Sequence, residues 1–229
     1  MRELRFALKQ TVPILFEYVF IGLSFGILMA DMGYSPLWSA FSALTIYAGS
    51  MQLVMISLLK AGTPLLTLVF TAFAVNARHI FYGIGFVEKF RRMGWRFPFM
   101  VFSLTDEAYS ILCSVKYEKG MDEDRAAFFI SLFTYLYWAV SCLMGGIIGH
   151  MIPWDMTGID FSATVFFFIV VINQWQQYKS KAPALTGIIC AVTGLLLIGP
   201  DGFLVPALAV SLLVLILLRD RISERLVKE

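Results

Sequence analysis

Eight apolar stretches near membrane-crossing length constrain this chain more than any other feature, at residues 12–31, 37–59, 64–87, 97–115, 127–149, 161–178, 183–199 and 203–218. A spanning helix needs about 20 mostly apolar residues. Inside lipid, only a helix or a closed barrel leaves no backbone group unpaired. The breaks between the stretches carry loop chemistry: Gly33-Tyr34-Ser35-Pro36, Gly62-Thr63-Pro64, a basic segment at 88–96, a charged segment at 116–125, Pro153, lysines at 179 and 181, and Pro200-Asp201-Gly202. The pattern predicts an all-α, polytopic transmembrane helix bundle of about 7–8 segments, forming one membrane domain over residues 1–229.

Composition agrees and removes other classes. Hydrophobic residues make up 59% of the 229 positions and charged residues only 15%, against roughly 25% charged in soluble domains. Net charge is +2 and the basic residues fall in loops and tails, so nucleic-acid binding has no support. Cys113, Cys142 and Cys190 all lie in apolar stretches, an odd and scattered set that fits packing better than disulfides or a metal. His79 and His150 are far apart and have no Cys or Glu neighbour of ligand spacing, so neither a metal nor a cofactor is expected. The first stretch is too long for the apolar core of a cleaved signal. No H-E-x-x-H, G-x-S-x-G or P-loop is present, which argues against a hydrolase or an ATPase.

Ionisable and amide side chains nevertheless lie deep inside these stretches. Asn76, Arg78 and His79 occupy the third, and Asp106 and Glu107 the middle of the fourth. A charge at mid-bilayer costs about 2.5–3.5 kcal/mol even on the lenient insertion scale, so such residues face partners, a bundle interior or a water-filled path. That placement reads as a transporter.

Loop charges expose a conflict. With an internal N-terminus and eight full crossings, the outside would hold Lys89, Arg91, Arg92 and Arg96, whereas most other basic residues, Lys60 among them, would be inside. A re-entrant or broken segment among the first three would relieve it, and Tyr47-Ala-Gly-Ser50 and Asn76-Ala-Arg-His79 are the expected breaks. A faint repeat is also visible between residues 12–87 and 127–199. Phe41-Ser42-Ala43 recurs as Phe161-Ser162-Ala163, Gly26 and Gly146 each lie 15 residues upstream, and Pro64 and Pro183 follow. The polar cluster at 49–52 has Asn173-Gln174 as its counterpart. Transporters built from repeats place substrate at the repeat interface near midplane.

Three motifs in order, Tyr47-Ala-Gly49-Ser50-Met-Gln52, Asn76-Ala-Arg78-His79-Ile-Phe-Tyr82-Gly83 and Thr105-Asp106-Glu107, resemble the AzlC family, as do Pro13 and Gly22-Leu-Ser-Phe-Gly26. The likeness covers residues 5–150 well and the remainder by hydropathy. It implies the large subunit of a bacterial branched-chain amino acid exporter in the cytoplasmic (inner) membrane. It further implies a small membrane subunit, AzlD, as partner, and export of leucine, isoleucine, valine or similar solutes driven by the proton gradient.

Arg78 and Asp106 each lie 14 positions from Arg92, so an antiparallel hairpin sets them at similar depth. One reading makes them the substrate site, with Arg78 on the amino acid's carboxylate and Asp106 on its ammonium. The other is an ion pair holding two helices, although a dry structural pair often barely offsets its desolvation. Glu107 is rotated about 100° from Asp106 on a helix, so both cannot face Arg78. Asp106 and Glu107 are the expected proton-coupling residues. Gly49, Ser50 and Gln52 read either as a substrate-binding break or as a close helix contact, and Asn76 as a contact to the substrate amine or a cap for broken backbone. His79 and Glu17 fit packing and snorkelling roles, and Gly22xxxGly26 and Gly145xxxGly149 read as helix-packing faces. The expected function is an amino-acid carrier with a midplane site. The alternative is a passive channel or pore subunit for another small polar solute.

Overall fold

The computed structural model describes residues 1–151, 161, 164–165, 168, 171–172, 175, 181–199, 203 and 206–217. The described residues form helices joined by short turns, with no strand among them. They divide into two compact units, Met1–Ala61 with Asn76–Ala163, and Gly62–Val75 with Thr164–Glu229. Asn173, Gln174, Pro153 and the loop at 200–202 lie outside the described residues.

In the first unit, α1 (Arg2–Asp31) and α8 (Glu123–Met151) are long and apolar enough to cross a membrane. They run parallel and share the most extensive contact, because glycines let their backbones touch. A Cβ on Gly26 would stand 2.2 Å from the Cys142 carbonyl oxygen, and one on Gly145 would stand 2.3 Å from that of Leu23. Gly22 meets Ser141, and Gly149 meets Ala30. The two glycine motifs are therefore one interlocked seam, the close approach that lipid-embedded helices favour.

The second and third expected spans are broken. The second splits into α2 (Pro36–Thr45) and α3 (Gly49–Lys60), with Tyr47 at φ 45° between them. The third splits at Ala77 into α4 (Leu65–Asn76) and α5 (Arg78–Arg91). Together α4 and α5 have the length and hydropathy of one interrupted crossing. Both breaks fall where the polar motifs predict them. A third break was not expected. The fourth stretch divides into α6 (Phe97–Phe102) and α7 (Asp106–Ser114), separated by Ser103-Leu104-Thr105.

Ion pairs at the helix ends settle where these pieces turn. Lys60, the last residue of α3, pairs with Asp31, the last of α1, at 3.0 Å. The α2–α3 hairpin thus enters and leaves at the same end of the unit. At the opposite end, Arg2 pairs with Glu118 at 2.7 Å. Lys89 there lies 4.0 Å from Glu123 and 4.9 Å from the Tyr117 ring centroid. The α6–α7 hairpin, flanked by Lys89 and Glu118, therefore also returns to the end it came from. At 1.5 Å per residue its arms of 6 and 9 residues are roughly 9 and 14 Å long, far short of a 30 Å hydrocarbon core.

This corrects the eight-crossing bookkeeping. Lys60 belongs with Asp31, not with Arg2, and Lys89 belongs with Arg2. Within the first unit every Lys and Arg except Lys60 and Arg78 now gathers at the Arg2 end, which the positive-inside rule assigns to the cytoplasm. Apolar packing under the second hairpin, from Phe86, Phe90, Met93, Met100, Leu104, Ile111 and Ile130, fills that half.

In the second unit, α9 (Ala182–Ile198) and α10 (Pro206–Leu217) are shorter apolar helices. They pack closely enough that a Cβ on Gly194 would lie 3.2 Å from that of Ala207. The proposed repeat has much of its second copy outside the described residues.

Candidate functional site

The three breaks have one consequence: α3, α5 and α7 all begin inside the bundle, at Gly49, Arg78 and Asp106. Each helix N-terminus carries unpaired N–H groups and a partial positive charge. One side chain brings them together. Arg78 Nη2 lies 2.7 Å from Asp106 Oδ2 and donates a short hydrogen bond to Ser50 Oγ. A single guanidinium nitrogen therefore links the inner tips of two hairpins that enter from opposite ends.

The spacing of Arg78 and Asp106 about Arg92 predicts similar depth, and the two are in contact. Glu107, turned away as expected, accepts instead from the Tyr18 hydroxyl at 2.9 Å. Tyr18 also lies 3.2 Å from Thr105 Oγ1. Thr105 caps α7, accepting from the Ala108 N–H. Thr followed by two acidic residues is an N-cap signature, so the unforeseen third break had a legible signal in Thr105-Asp106-Glu107. Tyr18 carried none, being one tyrosine in an apolar run.

Gln52 is fully buried and both ends of its amide are engaged. Its Nε2 donates to Ser42 Oγ at 3.0 Å, and its Oε1 accepts from Trp138 Nε1 at 2.9 Å. It fastens α3 to α2 and α8 rather than presenting a free polar group. Gly49 lies against the Trp138 ring, where an added Cβ would meet it at 3.0 Å. Ser50 is 6% exposed and Asn76 half-buried. His79 packs edge-on to Tyr82, with centroids 5.8 Å apart.

Several polar atoms here are buried and hold no hydrogen bond among the described residues: Arg78 Nε, Asp106 Oδ1, Asn76 Oδ1, Ser103 Oγ and the Tyr47 hydroxyl. Most buried polar groups in folded proteins are satisfied, so this concentration of unsatisfied atoms makes the cluster a candidate binding site. One turn beyond Arg78 and Asp106, Tyr82 and Tyr109 stack with centroids 4.5 Å apart and bound the site on the cytoplasmic side. Tyr47 holds a left-handed conformation that a non-glycine residue rarely adopts, fixed by burial of its ring against Phe102 and Tyr135. Among the described residues no group of His, Cys, Asp and Glu could hold a metal ion.

Comparison with known proteins accords with this architecture. No solved structure matches the chain. It is 34% identical to the branched-chain amino acid transport protein AzlC of Bacillus subtilis, over 96% of this chain and 87% of that protein. An uncharacterized membrane protein of Helicobacter pylori is 34% identical over 95% of each. The inner membrane protein YgaZ of Escherichia coli is 26% identical, over 81% of this chain and 79% of its own length. The family model described as AzlC protein matches residues 13–152 and so contains the three helix breaks at 46–48, 77 and 103–105 and every residue of the polar cluster. This chain is a multi-pass membrane protein and belongs to the AzlC family.

Proposed function

We propose that the chain exports branched-chain or similar aliphatic amino acids across the bacterial inner membrane, as a proton-coupled secondary carrier working with a small AzlD-like membrane subunit. The observation that carries this reading is the convergence of three helix N-termini on a cluster of charged groups with unused hydrogen-bonding capacity. A zwitterion fits both halves of it. Its carboxylate takes the free Nε of Arg78 and the positive ends of α3 and α5 beside Ser50. Its ammonium takes the free oxygens of Asp106 and Asn76. The aliphatic side chain packs on neighbouring apolar surface, with the Tyr82–Tyr109 stack one turn away. Gly49 and Gln52 contribute by holding the first hairpin's tip against Trp138.

Binding at this place also supplies a means of movement. The substrate carboxylate competes with Asp106 for Arg78, and Arg78 ties the two hairpin tips together. Loosening that tie lets one hairpin move without the other, as alternating access requires. Asp106 and Glu107 are the acidic groups available for proton coupling.

The test is efflux of leucine, isoleucine and valine from preloaded cells lacking native exporters, with the small subunit co-expressed. The expected result is saturable efflux by the wild type and its loss in Arg78→Ala at equal membrane abundance. Absence of efflux of all three from a well-expressed complex would overturn the assignment. Non-saturable, non-stereoselective efflux would favour a pore.

A further inference from the structure

Two adjacent carboxylates at the start of α7 have different partners. Asp106 holds Arg78, the nearest cation, at 2.7 Å. Glu107 holds the hydroxyl of Tyr18, a residue 4% exposed and set edge-on against Trp138 with centroids 5.3 Å apart. The groups facing Glu107 are few. From α1 come Glu17 and Tyr18, from the first hairpin's tip comes the Tyr47 hydroxyl, and from its own helix come Asp106 and the Thr105 cap. Arg78 reaches this group only through Asp106. Glu107 thus sits among carboxylates and hydroxyls, with no cation in contact among the described residues.

The hydrogen bonds respond to a proton in a defined way. An ionised carboxylate only accepts, so the Tyr18 O–H must donate the hydrogen bond to Glu107. A protonated Glu107 has a hydrogen of its own to donate. The Tyr18 hydroxyl is then free to turn toward Thr105 Oγ1, 3.2 Å away, which already accepts from the Ala108 N–H as the cap of α7.

We propose that Glu107 carries the coupling proton at a site separate from the Arg78–Asp106 pair, and that Tyr18 is its positioning residue, transmitting the charge state of Glu107 to the second hairpin through Thr105. The proton passes between water and the Glu107 carboxylate, and no other bond is made or broken. The word coupling rests on the transport reading above, whereas the existence of the proton site does not.

The experiment is an infrared pH titration of the full-length chain, purified with the small subunit and reconstituted in sealed liposomes, with leucine counterflow measured on the same preparations. The expected result is a protonated-carboxyl band that Glu107→Gln removes and Asp106→Asn retains. Tyr18→Phe removes one donor to the carboxylate and keeps the ring. Its band midpoint should move to higher pH by about one unit. A band that survives Glu107→Gln, or a midpoint unmoved in Tyr18→Phe, overturns the proposal. Counterflow that fails for every aliphatic amino acid in the wild type defeats the transport reading alone, because the titration reads the proton site without any solute.

Discussion

Lys60 Nζ lies 3.0 Å from Asp31 Oδ2, so the 28 residues between these two helix ends leave the Asp31 end of the bundle and return to it. Lys89, beside Glu123 and Tyr117, fixes the other hairpin at the opposite end. In a background without native cysteines, an impermeant thiol reagent should therefore label Lys60→Cys and Asp31→Cys from one side of the membrane. It should label Lys89→Cys and Arg2→Cys from the other. Labelling of positions 31 and 60 from opposite sides would show that the second stretch crosses after all.

The two roles weighed for Arg78 separate in a double substitution. Arg78→Ala alone leaves Asp106 without its cation and should lower both thermal stability and transport, the latter by at least about tenfold, or 1.4 kcal/mol. Arg78→Ala with Asp106→Ala removes the stranded charge, so much of the stability should return. Transport should not. A double variant that regains both would make the pair purely structural. Arg78→Lys keeps the charge but not the fork of donors, and intermediate transport is the expected outcome.

The seam between α1 and α8 admits no side chain at Gly26, because backbone atoms of Cys142 and Gly146 occupy the space. Gly26→Ala should lower the melting temperature in detergent, with a cost of about 1–3 kcal/mol for overpacking. Gly83→Ala on α5 has nothing within 4 Å of the new Cβ and serves as the control. Equal melting temperatures for the two variants would mean that the helices separate readily at this contact.

Tyr117, in the loop between the second hairpin and α8, tests the cytoplasmic end by titration. Burial raises its pKa from 10.0 to about 12, and the nearby Glu123 and Asp124 add to the shift. A phenol that ionises later in the folded state contributes stability fully present below pH 10 and lost as pH rises from about 10 to 12. Ultraviolet difference titration against Tyr117→Phe should place this phenolate near the upper value. Ionisation near 10 would mean that the loop does not pack against Phe6 and Lys89 as it does here.

What the sequence could determine follows from what lipid demands locally. Apolar runs of the right length specify helices because no other backbone is satisfied in hydrocarbon. Polar motifs at 47–50 and 76–79 marked two breaks for the same reason, and paired glycine motifs marked a packing seam. Spacing arithmetic on Arg78 and Asp106 named the right neighbours, although the arm it took as one helix is α6, a three-residue break and the start of α7. Run length, however, does not distinguish a crossing from a hairpin. A stretch of 19 residues at 97–115 reads as one span, yet the Thr105 cap and the two short arms make it a re-entrant turn. Which end each loop occupies was decided by contacts between residues far apart in sequence, Asp31 with Lys60 and Lys89 with Glu123. The same is true of the partners of Gln52 and Glu107. A hydrogen bond to Trp138 or Tyr18 needs another helix at the right height and rotation, and only tertiary packing fixes both.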